Sequence, residues 1–153
     1  MDLTQYEADE LIAIAKYVME QAVFERTKKV SVDLLAQNGK EELILDITPS
    51  TIKASTIKVN KATYQMRAKK CIPLVRLDLD GPPHKNPDDT IITCPHLHIY
   101  KEGYGTKWAY ALPKEFDGCK NIIDFLDKFC QYCNIQGNPF ADIQLSIYDE
   151  THH

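Results

Sequence analysis

Apolar residues at Ala8, Leu11, Ile12, Ala15, Val18, Met19 and Ala22 recur three and four apart, the period of one helix face. Thr4-Gln5-Tyr6-Glu7 precedes them as a capping box, in which the threonine and glutamate satisfy each other's backbone donors. The pattern predicts an N-terminal amphipathic helix over residues 5 to 24. The period then shortens to two. Val30 to Ala36 and Leu43 to Ile47 flank Gln37-Asn38-Gly39-Lys40, where Asn-Gly supplies the positive φ angles of a tight hairpin turn. Ser50-Thr51-Ile52-Lys53-Ala54 is nearly repeated as Ser55-Thr56-Ile57-Lys58-Val59, too short for a repeat architecture and read as a bridge to the next strand. Ala62 to Arg67 and Cys71 to Leu79 are again strand-like.

Gly81-Pro82-Pro83 and Asn86-Pro87-Asp88-Asp89 break regular structure and predict a rigid loop. His96 to Tyr100 and Lys107 to Leu112 form a second expected hairpin around Gly103-Tyr104-Gly105. Asp117 is placed to cap a helix with apolar positions Ile122, Phe125, Leu126, Phe129, Cys130 and Cys133, ending before Gly137, and Ile143, Leu145 and Ile147 suggest a last strand. Consecutive strands with one helix at each end imply an α+β fold over residues 1–153 as a single domain. Its sheet is expected to be curved, mostly antiparallel and of about six or seven strands.

Alternation along two of these strands gathers chemistry on one side. Val75, Leu77 and Leu79 point one way and Arg76, Asp78 and Asp80 the other; Leu97 and Ile99 oppose Cys94, His96, His98 and Tyr100. Pairing the strands puts two histidines, two aspartates and an arginine on one patch, expected to face solvent. Three readings follow. Two histidines without a metal divide acid and base roles on an RNA phosphodiester, with Arg76 or Lys107 stabilising charge on phosphorus. Alternatively His96 and His98 ligate a metal, with Asp78, Asp80, Cys94 or His84 completing the shell. In the third reading histidines opposite aspartates are ordinary cross-strand pairs.

Charge separates these readings further. The net charge is -4, yet Pro49 to Leu77 contains no acid and carries Lys53, Lys58, Lys61, Arg67, Lys69, Lys70 and Arg76. Such a segregated basic run is the footprint of a polyanion or an acidic partner, or of a protected sheet edge. Tyr104, Trp108 and Tyr110 beside it are able to stack on bases. The first reading therefore leads: a small nucleic-acid-directed protein, a metal-independent endoribonuclease of toxin type. Its catalytic candidates are His96, His98, Arg76, Asp78, Lys107 and Tyr104, and its nucleic-acid contacts Lys53, Lys58, Lys69, Lys70 and Trp108. No cofactor or structural metal is expected. The alternative is a non-enzymatic inhibitor that binds a protein through the loop-rich face.

Other classes find no support. No apolar stretch approaches the roughly 18 residues that cross a bilayer, and the acidic start is unlike a secretory leader, which points to the cytoplasm. Five scattered cysteines suit free thiols in a reducing compartment. Cys130-Gln131-Tyr132-Cys133 has redox spacing but lies on the apolar face of a helix, where buried structural cysteine is the simpler reading. No phosphate-binding glycine loop, nucleophile elbow or zinc-finger pattern occurs.

The run Gly81-Pro82-Pro83-His84-Lys85-Asn86-Pro87-Asp88, followed by Pro95-His96-Leu97-His98-Ile99-Tyr100-Lys101-Glu102-Gly103-Tyr104-Gly105-Thr106-Lys107-Trp108-Ala109-Tyr110, resembles an uncharacterised family of small bacterial and phage proteins. The likeness is specific over residues 76 to 112 and faint elsewhere. It implies a bacterial, phage or mobile-element setting, in which such proteins are often toxins, antitoxins or inhibitors of host defence. A cognate antitoxin or a host protein fits that setting, whereas RNA is expected from the basic run and the aromatic groups; the resemblance assigns no catalytic residue.

Overall fold

The computed structural model describes residues 2–24, 28–49 and 62–142. Strands β1 (Lys16–Val18), β2 (Val30–Ala36), β3 (Glu42–Pro49), β4 (Ala62–Ala68), β5 (Ile72–Asp78), β8 (His96–Ile99), β9 (Ala109–Ala111) and β10 (Ile135–Gln136) form one sheet, in the order β10-β1-β2-β3-β4-β5-β8-β9. All its neighbours are antiparallel except β1 and β10. Two short strands, β6 (His84–Lys85) and β7 (Ile91–Ile92), make a separate ribbon. With helices α1 (Gln5–Ala13) and α2 (Ile122–Tyr132), the fold is α+β as expected. Among the described residues the main sheet has eight strands rather than six or seven, because Lys16–Val18 and Ile135–Gln136 extend one side.

Alternation decides the two faces. Val32, Leu34, Leu43, Leu45, Ile47, Tyr64, Met66, Val75, Leu77 and Leu97 are buried in one core with Leu3, Ala8, Leu11, Ile122, Leu126 and Phe129 from the helical regions. Tyr64 anchors α2 by donating its hydroxyl to the Ile122 carbonyl at 2.6 Å. The other face carries Ser31, Asp46, Thr63, Gln65, Arg67, Arg76 and Asp78, in register across the strands. Tyr100 departs from the expected alternation: it lies in the core, its hydroxyl donating to the Leu3 carbonyl at 2.6 Å.

The N-terminal helix is much shorter than its spacing suggests. Thr4 and Glu7 form the predicted capping box, but Ile14 is already extended and Lys16–Val18 pairs with β2 and β10. Lys16 explains the stop. Its side chain is 0% exposed, and its ammonium donates to the carbonyls of Ile12 and Ile14 at 2.8 Å and of Cys133 at 2.5 Å. Burial pulls that ammonium down to about 8, so it stays mostly charged at neutral pH while it closes the ends of both helices.

The hairpin at Gln37-Asn38-Gly39-Lys40 is present, with only Gly39 at positive φ; Asn38 contributes its side-chain oxygen to the amides of Lys40 and Glu41. Asp117 does not cap α2. It ends a 3-10 turn over Lys114–Phe116, and Asn121 caps instead, accepting from Ile123 and Asp124. Residues 81–92, expected as a rigid loop, hold the β6–β7 ribbon. The near-duplication at 50–59 and the strand expected at 143–147 lie outside the described residues. No described helix is long and apolar enough to cross a membrane.

Candidate metal centre

Registration of β5 against β8 sets Arg76 opposite His98 and Asp78 opposite His96, on the face away from the core. The four expected residues therefore meet. Asp78 Oδ2 lies 3.2 Å from His96 Nε2 and 3.2 Å from His98 Nε2. Arg76 Nε donates to Asp78 Oδ1 at 3.1 Å and Nη2 to Oδ2 at 3.2 Å, while Nη2 is 3.0 Å from His98 Nε2. One correction is large. The two imidazoles do not face solvent, since His96 is 2% and His98 1% exposed, and of the four only Arg76 and Asp78 stay partly open.

The cover is the β6–β7 ribbon. The His84 ring stands edge-on to His98 with centroids 4.7 Å apart, and its Nε2 meets the Lys107 carbonyl at 2.7 Å. Asn86 holds the ribbon to β9 with both ends of its amide: Nδ2 donates to the Ala109 carbonyl at 2.9 Å, and Oδ1 accepts from the Ala109 amide at 2.8 Å. The glycines, prolines and asparagine of this segment thus build a roof. Asn86 and the Thr106 carbonyl, which lies 2.8 Å from His98 Nδ1, are the two contributors that the sequence reading missed. A backbone carbonyl leaves no trace in composition, and an asparagine inside a turn motif reads as turn chemistry.

Each ring nitrogen in the centre has a partner. With its Nδ1–H given to Thr106, the neutral His98 ring turns Nε2 inward as a lone pair toward Arg76; protonated, the same nitrogen donates to Asp78. His96 places Nε2 on Asp78 and Nδ1 3.5 Å from Cys94 Sγ. Desolvation alone would raise the Asp78 carboxyl, but contacts with His98 and the Arg76 guanidinium more than offset it and hold it at about 2. Burial, with the charges of Asp78 and Asp80, pushes the Cys94 thiol upward.

His96, His98 and Asp78 offer ligand atoms that all lie within 4.8 Å of one another. Ligands held about 2.0–2.1 Å from a tetrahedral ion are themselves about 3.3 Å apart, close to the two 3.2 Å separations found here. The other expected residues sit elsewhere. Lys107 reaches the roof through its carbonyl, with its side chain exposed. Tyr104 packs edge-on against Trp108, and Lys101 lies over both rings. Trp108 is half-buried, with an indole N–H that finds no acceptor among the described residues. Lys69 and Lys70 occupy the β4–β5 turn, roughly 20 Å along the strand from Arg76 at about 3.3 Å per residue. Lys53 and Lys58 lie outside the described residues. Cys130 and Cys133 are free thiols within the core.

Fold and site define a small α+β protein with a roofed His-His-Asp cluster on the polar face of its sheet. The chain belongs to DUF6978, a family of unknown function whose model matches residues 3–135, well beyond the segment that carries the conspicuous motifs. No curated protein and no solved structure matches it.

Proposed function

We propose that this protein is a metal-dependent hydrolytic enzyme directed at nucleic-acid phosphodiesters, with Asp78, His96 and His98 as the ligands of one divalent ion. The observation that carries this reading is the convergence of three ligand atoms from two paired strands, with the Thr106 carbonyl orienting one imidazole from behind. Three protein ligands leave a coordination position for water, which a bound ion activates at neutral pH. Imidazole with carboxylate suits zinc, iron or manganese.

The metal-free ribonuclease reading fits this geometry less well. It needs each histidine to offer a nitrogen to the substrate, whereas both Nε2 atoms face Asp78 beneath the roof. The nucleic-acid part of the proposal draws on the acid-free run from Pro49 to Leu77. The bacterial or phage setting and a toxin-like role rest on the motif resemblance alone.

The test is calorimetric titration of the chelator-treated protein with zinc, manganese and cobalt, alongside cleavage of labelled RNA and single-stranded DNA with and without EDTA. One ion should bind per chain, and cleavage should stop with EDTA and return with metal. His96→Ala and His98→Ala should each abolish both signals while the protein stays folded. Cleavage indifferent to EDTA, or stoichiometric binding that persists in both histidine variants, would remove the proposal.

A further inference from the structure

We infer that Arg76 is a stand-in cation for this centre, holding the ligand set together in the absence of metal and swinging outward on metal binding to take a phosphate group of the substrate. The inference rests on the metal reading above and adds a coupled switch to it. Two observations carry it. The first is position: Arg76 Nη2 is 3.0 Å from His98 Nε2 and 3.2 Å from Asp78 Oδ2, so it donates to two of the three atoms an ion would use. The second is access. The Arg76 side chain is 33% exposed, against 18% for Asp78 and almost complete cover of the two histidines, so it is the group of the centre with the widest way out.

Charge makes the two occupants exclusive. Asp78 supplies a single negative charge, and a divalent ion placed among Asp78, His96 and His98 would repel a guanidinium that touches the same atoms. Across the sheet Arg76 pairs with the half-buried Gln65 on the polar face, a neighbour with no charge to oppose its release. Once released, it keeps five donors in a planar fork that matches phosphate, next to the ion that would activate water. Anion binding and metal binding should therefore promote each other, since each favours the same outward conformer and linkage is reciprocal.

Cobalt and inorganic phosphate are the probes. Cobalt affinity is measured by calorimetry for wild type, Arg76→Gln and Arg76→Lys, with and without phosphate, and thermal unfolding confirms that each variant is folded. Arg76→Gln should bind cobalt about tenfold more tightly than wild type, as expected if one charge-assisted contact no longer competes. Phosphate should tighten cobalt binding in wild type and leave Arg76→Gln unchanged. Arg76→Lys retains the charge without the fork and should fall between the two. Equal cobalt affinity in wild type and Arg76→Gln, or equal phosphate coupling in both, overturns the switch while the metal centre stands. Failure of cobalt, zinc and manganese alike to bind either protein overturns the centre and the switch together.

Discussion

Two aspartates on the same sheet face meet an arginine side-on, and only one of them is surrounded by groups with chemistry to offer. Asp46 on β3 receives Arg67 Nε at 2.7 Å and Nη2 at 3.2 Å from β4, with Ser31 at 2.7 Å and Lys29 more distantly. Every one of these partners is a donor or a cation. Asp78 receives the same arginine fork from Arg76, yet it also holds two buried imidazoles under a ribbon fastened by Asn86. Asp46 shows that a forked arginine pair with one hydroxyl suffices to keep a carboxylate on this sheet. The histidines and the roof at Asp78 exceed that structural need, which is why the site is read there and not at Asp46.

The comparison breaks first on metal affinity, where the largest difference is expected. Asp78→Asn should lose more than the roughly 10–100-fold that removal of an outer partner costs, because it removes a ligand. Asp46→Asn should leave affinity unchanged and lower stability by about 2 kcal/mol, as Arg67 and Ser31 lose their charged acceptor. Titration and urea unfolding of both variants decide this. Equal metal affinity in the two would erase the distinction.

The roof is the next point of attack. Asn86→Ala removes both hydrogen bonds to the buried Ala109 backbone. It should cost about 2 kcal/mol in unfolding free energy and about tenfold in metal affinity. Hydrogen exchange at Ala109 should quicken. An Asn86→Ala protein with native affinity would mean that the ribbon covers the histidines without positioning them.

These two regions also show how far the chain could be read before folding. Alternation along 72–78 and 96–99 placed Arg76, Asp78, His96 and His98 on one face, and β5 does pair with β8 so that they meet. Cover escaped it. Whether a polar face is open depends on where a 12-residue segment folds back, and residues 81–92 read as a breaker because glycine and proline dominate their local pattern. Lys16 hid for a similar reason. In a helical register it looks like an ordinary surface lysine, whereas its burial comes from carbonyls supplied by α1 and by Cys133, far apart in sequence. The basic run of 49–77 gave charge without geometry, since much of it lies outside the described residues.

A pH profile sharpens the structural half of the comparison. Desolvation works to raise the Asp46 carboxyl, but its bonds to Arg67 and Ser31 and the charges of Arg67 and Lys29 hold it below its ordinary 3.8. A carboxylate with a depressed folded value stabilises fully above the unfolded value, and that stability is lost as pH falls through the folded one. Wild type should therefore weaken in urea as pH drops below about 4, and Asp46→Asn should show a shallower fall. Parallel profiles would mean that Asp46 contributes nothing through its charge.

The smallest effect is expected at the β4–β5 turn, distant from the Asp78 cluster and joined to the Asp46 cluster through Arg67. Lys69 and Lys70 sit at φ 49° and 67°, and the turn closes with the Cys71 amide donating to the Ala68 carbonyl at 3.1 Å. Two positive φ angles in succession suit Asn-Gly, and side chains with a Cβ pay strain there. Arg67 adds a guanidinium bond to the Lys70 carbonyl, so the turn is held in place from the strand. Lys69→Asn with Lys70→Gly should raise stability by about 1 kcal/mol and leave metal affinity as it was. Its use lies in the nucleic-acid half of the proposal. If lysines are kept at this strained tip for their charge, the stabilised variant should bind single-stranded RNA more weakly, with a smaller dependence on salt. Unchanged RNA affinity and salt dependence would confine these lysines to the turn and leave the phosphodiester substrate to rest on the other basic residues of the run from Pro49 to Leu77.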